Sequence, residues 1–298
     1  MSRIMRNYWD RVGHIRVSGP DGKMYRYGND LNSLDFKFDV QKTCGDIYID
    51  FTVSILGLNA ETINFLATWN QAEAYRDKRI IEVYAGYGDD GKAPLIARGV
   101  IVNAIPSSPP EMWLNIQAKN IYSSKAELVT ESAIGYESKR SVKKRDFFYD
   151  TMQYLGYKFS IATDIMDADK IITIPSFVCD KSELVKRVAS ITGWLIHVDN
   201  GYASAHAHNG WSTDSKFDAA DIINVDNGLI GISQIDIKGA VVKCRLNDQY
   251  QLFSNVYLES KLIPKANGIY FIVSKRSVGH LRGDDWYTEL KLIRRVKK

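Results

Sequence analysis

The stretch YIDFTVSIL, starting at Tyr48, alternates so that Ile49, Phe51, Val53 and Ile55 fall on one face of an extended chain. The same period of two returns near the other end. There Trp286, Thr288, Leu290 and Leu292 share one face, while Tyr287, Glu289 and Lys291 share the other. Such a period excludes helix, so each region is a sheet with one face in a core and the other towards water or a partner. RIIEVYAGY and ARGVIVNAI add strands to the first region, with the turn residues DDGK from Asp89 between them. AVVKCRL, FSNVYLES and GIYFIVSKR add strands to the second.

One helix interrupts the first region. Asn59 is a good N-cap, Leu58 and Ile63 have the spacing of a hydrophobic staple, and Ile63, Leu66 and Trp69 or Asn70 follow at helical intervals. From about Glu127 the texture changes. SVKKRDFFYDTMQYLGY places Phe148, Met152 and Leu155 on one helical face and ends at Gly156. Its Lys143, Lys144 and Arg145 read as a solvated face and not a nucleic-acid patch. A second helix opens at DKSE, where Asp180 and Glu183 have capping-box spacing. It carries Leu184, Val188 and Ile191 on its apolar stripe and closes at Gly193. WLIHV and YASAHAH flank DNG and read as a hairpin.

A chain of 298 residues exceeds the size of one core and divides into two or three units. The expected division is 1–126, a strand-rich domain with one inserted helix; 127–212, a small α+β domain; and 213–298, a second strand-rich domain. The fold class is α+β, mainly β. RGVIVNAIPSSPPEMWLNIQA and NGIYFIVSKRSVGHLRGDDWYTELKL share a plan of Gly, strand, loop, Trp and strand, which suggests duplication. Charged residues at 25% and hydrophobic residues at 45% exclude a disordered chain, and a net charge of +4 does not by itself argue for nucleic acid. No run reaches the roughly 20 apolar residues of a membrane span, and the first residues lack the apolar core of a signal peptide. Synthesis and folding in a cytoplasm are expected. Cys44, Cys179 and Cys244, widely spaced, fit reduced structural thiols.

Chemistry is sparsely signalled. His197, Asp199, His206 and His208 surround one predicted hairpin, and His206 and His208 share a strand face that could present both to a metal ion. A metal hydrolase would also need carboxylates and an open coordination position; a polar solvent-facing strand needs neither. No nucleophile elbow, phosphate loop or dinucleotide fingerprint occurs. AGYGDDG joins strands, and Asp89–Asp90 and Asp284–Asp285 are turn neighbours that point apart. The basic end KLIRRVKK reads as a strand edge with a solubilising tail. No catalytic residue, cofactor or metal is expected.

Two segments together resemble the baseplate hub proteins of contractile-tailed bacteriophages. One runs from FTVSILGLNAETINFLATWNQ through AGYGDDGKAPLIARGVIVNAIPSSPPEMWLNIQA; the other is SNVYLESKLIPKANGIYFIVSKRSVGHLRGDDWYTELKL. The similarity of order covers most of the chain. It implies two tube-like β-barrel domains around the small α+β domain, in a homotrimeric, non-enzymatic hub. Six barrels would match a hexameric tail tube or tube-initiator protein above and a trimeric central spike below. Other baseplate proteins and the tape measure protein are implied neighbours, in a virion assembled in the host cytoplasm. Interfaces enrich aromatics, so Trp9, Tyr25, Tyr27, Trp69, Tyr84, Tyr87 and Tyr122 are contact candidates, each equally able to fill a core.

Two other readings stand beside this one: a β-rich adhesion or carbohydrate-binding protein, and a metal-dependent hydrolase centred on His206 and His208. The first would use exposed aromatics or Arg282, Gly283 and Asp284, the triplet that integrins grip. Gly beside Asp is also what a strand-to-strand turn wants, so these residues are expected at a hairpin tip.

Overall fold

The computed structural model describes residues 11–294 except 20–21, 29–33, 45–48, 68–78, 89–91, 109, 121–133, 137–139, 163–164, 176, 180, 200–201, 208–220 and 238. Both expected domain boundaries lie outside the described residues, as do Trp9, Trp69, Asn70, Asp89, Asp90, Tyr122, Asp180 and His208.

The architecture is α+β and mainly β. Its first part holds β1 (Arg11–Ser18), β2 (Met24–Gly28), β3 (Phe36–Thr43), β4 (Asp50–Leu56), helix α1 (Ala60–Leu66), β5 (Ile80–Tyr87), β6 (Leu95–Pro106) and β7 (Trp113–Asn120). The middle holds β8 (Ile134–Tyr136), β9 (Arg140–Lys143), α2 (Lys144–Leu155), β10 (Lys158–Ile161), β11 (Ile171–Ile174), β12 (Phe177–Cys179), α3 (Lys181–Thr192), β13 (Trp194–Asp199) and β14 (Tyr202–Ala207). The last part holds β15 (Asp221–Ile223), β16 (Leu229–Ile235), β17 (Gly239–Arg245), β18 (Asn255–Leu258), β19 (Gly268–His280) and β20 (Trp286–Arg294).

Both β-rich parts enter one 13-stranded sheet, ordered β16-β17-β20-β19-β3-β4-β7-β6-β5-β1-β2, with β18 also on β19 and β15 on β18. One five-strand order occurs twice. The run β3-β4-β7-β6-β5 is matched by β16-β17-β20-β19-β18, antiparallel at every step. The bulges coincide as well. Ile101 pairs with Ala118 and Asn103 with Gln117, so Val102 is extra; Ile272 pairs with Leu292 and Ser274 with Lys291, so Val273 is extra. Each bulge shifts the strand's alternation by one residue. Tyr270 and Ile272 before it, and Lys275 and Ser277 after it, are therefore all buried.

The bulge divides one edge of β19 between two neighbours. Gly268–Phe271 pair with β18, and Ser274–His280 pair with β3. This second ladder fuses the two units. Gly279 is required there, because a Cβ would meet the Phe38 ring at 2.2 Å.

The first core gathers the predicted face Ile49, Phe51, Val53 and Ile55 with Phe36, Phe38, Leu114 and Ile116. Trp286 and Leu246, from the last part of the chain, belong to this core too. Trp286 is 3% exposed, donates its indole N–H to the Gly86 carbonyl at 3.2 Å, and meets Phe38 edge-on at 5.8 Å. Helix α1 is capped as predicted, with Asn59 Oδ1 accepting from the Thr62 N–H at 2.8 Å. A second core lies under β16–β20, around Val242, Tyr250, Val256, Tyr270 and Leu290.

The middle part has its own core, where Phe147, Phe148 and Met152 of α2 meet Leu184, Val185 and Val188 of α3 and Trp194, Ile196 and Val198 of β13. Gly156 (φ 75°) and Gly193 (φ 70°) stand in the left-handed region after the two helices, as a C-terminal stop requires. The solvated basic face needs correction. Lys144 is buried, bonded to Asp167 and donating to the Thr192 carbonyl at 2.6 Å. Its neighbours stay outside, Lys143 and Arg145 reaching Asp169 at 3.3 and 3.1 Å. Burial acts against the Asp167 carboxylate, but bonds from Lys144 and the Trp194 indole hold its pKa below the usual carboxylate value. Among the described residues no helix is long and apolar enough to cross a membrane.

Candidate interaction surfaces

The outer face of the joined sheet is polar from unit to unit. Cross-strand pairing builds one row through Lys243–Glu289, Glu289–Arg276, Arg276–Gln41, and, one step along, Asp39–Thr52, Thr52–Gln117 and Gln117–Asn103. The row passes without interruption over the β3·β19 joint. At that joint Arg276 grips Asp39 with a fork, Nε to Oδ1 at 2.9 Å and NH2 to Oδ2 at 2.5 Å. These bonds raise the guanidinium pKa above its already high ordinary value. An open groove of about 330 Å³ runs beside the pair, lined by Gln41, Thr52, Gln117 and Lys119. Along the same face Lys243 Nζ sits 3.5 Å from the Tyr287 ring centroid. Lys37, Lys119, Lys243, Arg276 and Lys291 alternate with Asp39, Asp50 and Glu289, a mixed surface that water or a polar neighbour can solvate.

The hairpin tip between β19 and β20 carries Arg282, Gly283 and Asp284, and it is tied down on both sides. Arg11 donates to the Gly283 carbonyl and, at 3.2 Å, to that of Asp284. Asp35 accepts from the Arg282 N–H at 3.2 Å and lies 2.8 Å from His280 Nε2. The triplet thus helps lock the last hairpin onto the first β-rich part.

Four of the seven aromatic contact candidates fall among the described residues. All four are half-buried in or on the first unit. Tyr25 packs on Phe65 with centroids 5.0 Å apart, Tyr27 and Tyr87 pack against the first core, and burial pushes the Tyr27 phenol up to about 12. Tyr84 stacks on His14 at 4.6 Å beneath the Arg16 guanidinium and donates to Glu82 at 3.1 Å.

The predicted hairpin β13–β14 forms, with Trp194 opposite Ala207 and Asp199 opposite Tyr202. His197 and His206 share one face of it, and both rings pack against Phe253, at 5.8 Å edge-on and 4.0 Å stacked. Phe253 is held at φ 66°, the left-handed region that bulky residues avoid. The histidines therefore dock the middle part onto the last one, beside a cavity of about 170 Å³ that Lys42, Asp248 and Lys275 also line. Among the described residues no group of three or more His, Cys, Asp and Glu side chains could hold a metal ion. The sequence reading placed His206 and His208 on one face, and His208 lies outside the described residues; nothing in the sequence marked Phe253, 47 positions beyond His206, as the surface that His197 and His206 meet.

The geometry is that of a scaffold: fused sheets, a polar face and exposed margins. Solved tail proteins share the fold. The tail protein from Neisseria meningitidis MC58 superposes with a TM-score of 0.61 at 10% identity, covering 96% of this chain and 97% of that one. The 43 kDa tail protein of prophage MuSo2 from Shewanella oneidensis gives 0.59 at 11% identity, covering 95% and 98%. The E. coli c3393 protein gives 0.55 at 9% identity, covering 88% and 74%; it is described as a type VI secretion component similar to the T4 bacteriophage tail proteins gp27 and gp5. At such identities the likeness is one of fold. No curated protein matches the chain in sequence. A family model does, that of the baseplate hub gp41, over residues 21–290. The chain belongs to this baseplate hub family and is a structural, non-enzymatic component of a phage tail baseplate.

Proposed function

We propose that the chain is a homotrimeric hub that joins a hexameric tail tube to a trimeric central spike. The observation that carries this reading is the five-strand order repeated within one chain. Three chains with two equivalent units each supply six positions to a sixfold neighbour while keeping threefold symmetry for the other. In this reading the two units are tube-like barrel domains, with boundaries at 126/127 and 212/213. The small α+β domain projects from the ring. The partners are the tail tube or tube-initiator protein, the spike, other baseplate proteins and the tape measure protein. Assembly takes place in the host cytoplasm and the product stays in the virion.

Light scattering and electron microscopy of the purified chain, alone and with the spike protein, test this. A ring of three chains showing six similar lobes is expected. A lasting monomer with no affinity for spike or tube protein overturns it.

A further inference from the structure

The cavity of about 170 Å³ beside the histidines lies where all three parts of the chain meet. Lys42 reaches it from β3, His197, Ser204 and His206 from β13 and β14, Asp248 from the connection between β17 and β18, and Lys275 from β19. Lys42 and Lys275 are partners across the β3·β19 ladder, so their side chains leave the same face of the sheet side by side. Like charges placed opposite each other repel, and burial adds to that cost; Lys275 is only 6% exposed. Asp248 answers one of the two, its carbonyl and its carboxylate each accepting from Lys275 at 3.3 Å. Among the described residues, the lining thus sets two ammonium groups against a single carboxylate.

His197, His206 and Ser204 add donors. An imidazole carries an N–H in either tautomer, and a serine hydroxyl can turn to donate. The backbone is constrained at the same place. Phe253, at φ 66°, holds its ring flat against His206 at 4.0 Å, and strained residues of this kind gather at ligand clamps. Size then selects the ligand. The space equals that of about five or six waters, enough for one tetrahedral oxyanion. It falls short of the roughly 300 Å³ at which sites for drug-sized ligands begin.

We propose that this cavity is a binding site for a free tetrahedral oxyanion of the size of inorganic phosphate. Lys42 and Lys275 supply the charge, and the serine and the two histidines supply directed hydrogen bonds. The groups come from β3, from the β13–β14 hairpin and from the last part of the chain, so a bound oxyanion ties the middle part to both β-rich parts at once. One chain holds the whole site, which makes it independent of the ring reading.

Equilibrium dialysis of the full chain against labelled phosphate, at constant ionic strength in chloride, tests this. One phosphate per chain is expected, with a rise in melting temperature of about 5 °C that levels off at saturation. Hydrogen exchange should slow together in β3, β14 and residues 248–253. Lys42→Gln is expected to lose the bound phosphate, and Lys243→Gln, on the outer face of the sheet, to keep it. Ser204→Asp brings a carboxylate into the cavity and should abolish binding by taking the place of the oxyanion; it carries the test if Lys42→Gln does not fold. No bound phosphate in the unaltered chain at millimolar concentration overturns the proposal, and so does binding that survives both Lys42→Gln and Ser204→Asp. A melting temperature that climbs linearly with phosphate, equally in Lys42→Gln, is general exclusion of the salt from the protein surface and overturns it as well. Equal binding of glycerol phosphate overturns the assignment to a free ion.

Discussion

On the inner faces of the first unit, β4 and β7 set Phe51 opposite Ala118, Val53 opposite Ile116 and Ile55 opposite Leu114. The equivalent places of the second unit hold Ala240 opposite Leu292, Val242 opposite Leu290 and Cys244 opposite Thr288. Ala104 of β6 corresponds to Lys275 of β19, buried and satisfied by Asp248 at 3.3 Å. Thr288, fully buried, accepts from the Asn247 N–H at 3.2 Å. At these matched positions the first unit is apolar, while the second carries polar groups that each need a named partner. Strand order and bulge position survive this exchange, because they depend on pairing and alternation and not on which apolar residue fills a site.

The largest test of the comparison is Trp286→Ala. The indole belongs by sequence to the second unit and by packing to the first, so its loss is expected to destabilise both. The cost is about 3–5 kcal/mol, as for large core aromatics, and denaturant unfolding should show the two units lost in one step. Survival of either alone would break the idea of a shared core.

Lys144→Ala contrasts the sheet with the middle part. It strips Asp167 and the Thr192 carbonyl of their cation at a cost of about 2 kcal/mol, the scale of a hydrogen bond to a charged group. Hydrogen exchange should quicken in α2 and α3 and not in β3 or β4. The acid response has a definite sign. The folded-state pKa of Asp167 is depressed, so its stabilisation is present above the unfolded carboxylate value and disappears as pH falls through the lower folded one. Asp167→Asn should remove that acid-dependent component of the melting curve.

Arg276→Ala ranks lower. The fork with Asp39 joins the units on an open face, with side chains 43% and 37% exposed, so less than about 1 kcal/mol is expected, shrinking further with salt. The smallest effect concerns the thiols. Cys44 is half-buried, whereas burial pushes the Cys244 thiol up to about 12. A thiol reagent at neutral pH should label Cys44 in the folded chain and Cys244 only after unfolding.

Local pattern was readable. The alternation through Phe51, Val53 and Ile55, the Asn59 cap and the stops at Gly156 and Gly193 rest on neighbours a few residues away, and each stands as read. Trp286 was legible as buried, but not the core it enters, because Phe38 and Gly86 are some 200 or more positions distant. Lys144 was misread for the same reason. A lysine inside and a lysine outside carry the same letter, and only Asp167 across the fold tells them apart. The duplicated hairpin was visible as Gly, strand and Trp, yet neither the glycines nor the tryptophans correspond, Trp113 matching Tyr287. The true alignment runs through the bulges at Val102 and Val273, which leave no mark in composition.

The ladder between β3 and β19 also has a history in time. β3 is made early, and its pairing strand arrives more than 230 residues later. A growing chain must hold that edge unpaired until β19 has been made, in a fold whose distant contacts make it slow. Only arrival of the last hairpin covers the edge and inserts Trp286. A chain cut short before Gly268 keeps a hydrophobic strand edge open to aggregation. The joint therefore makes solubility depend on translation having passed β19 and β20.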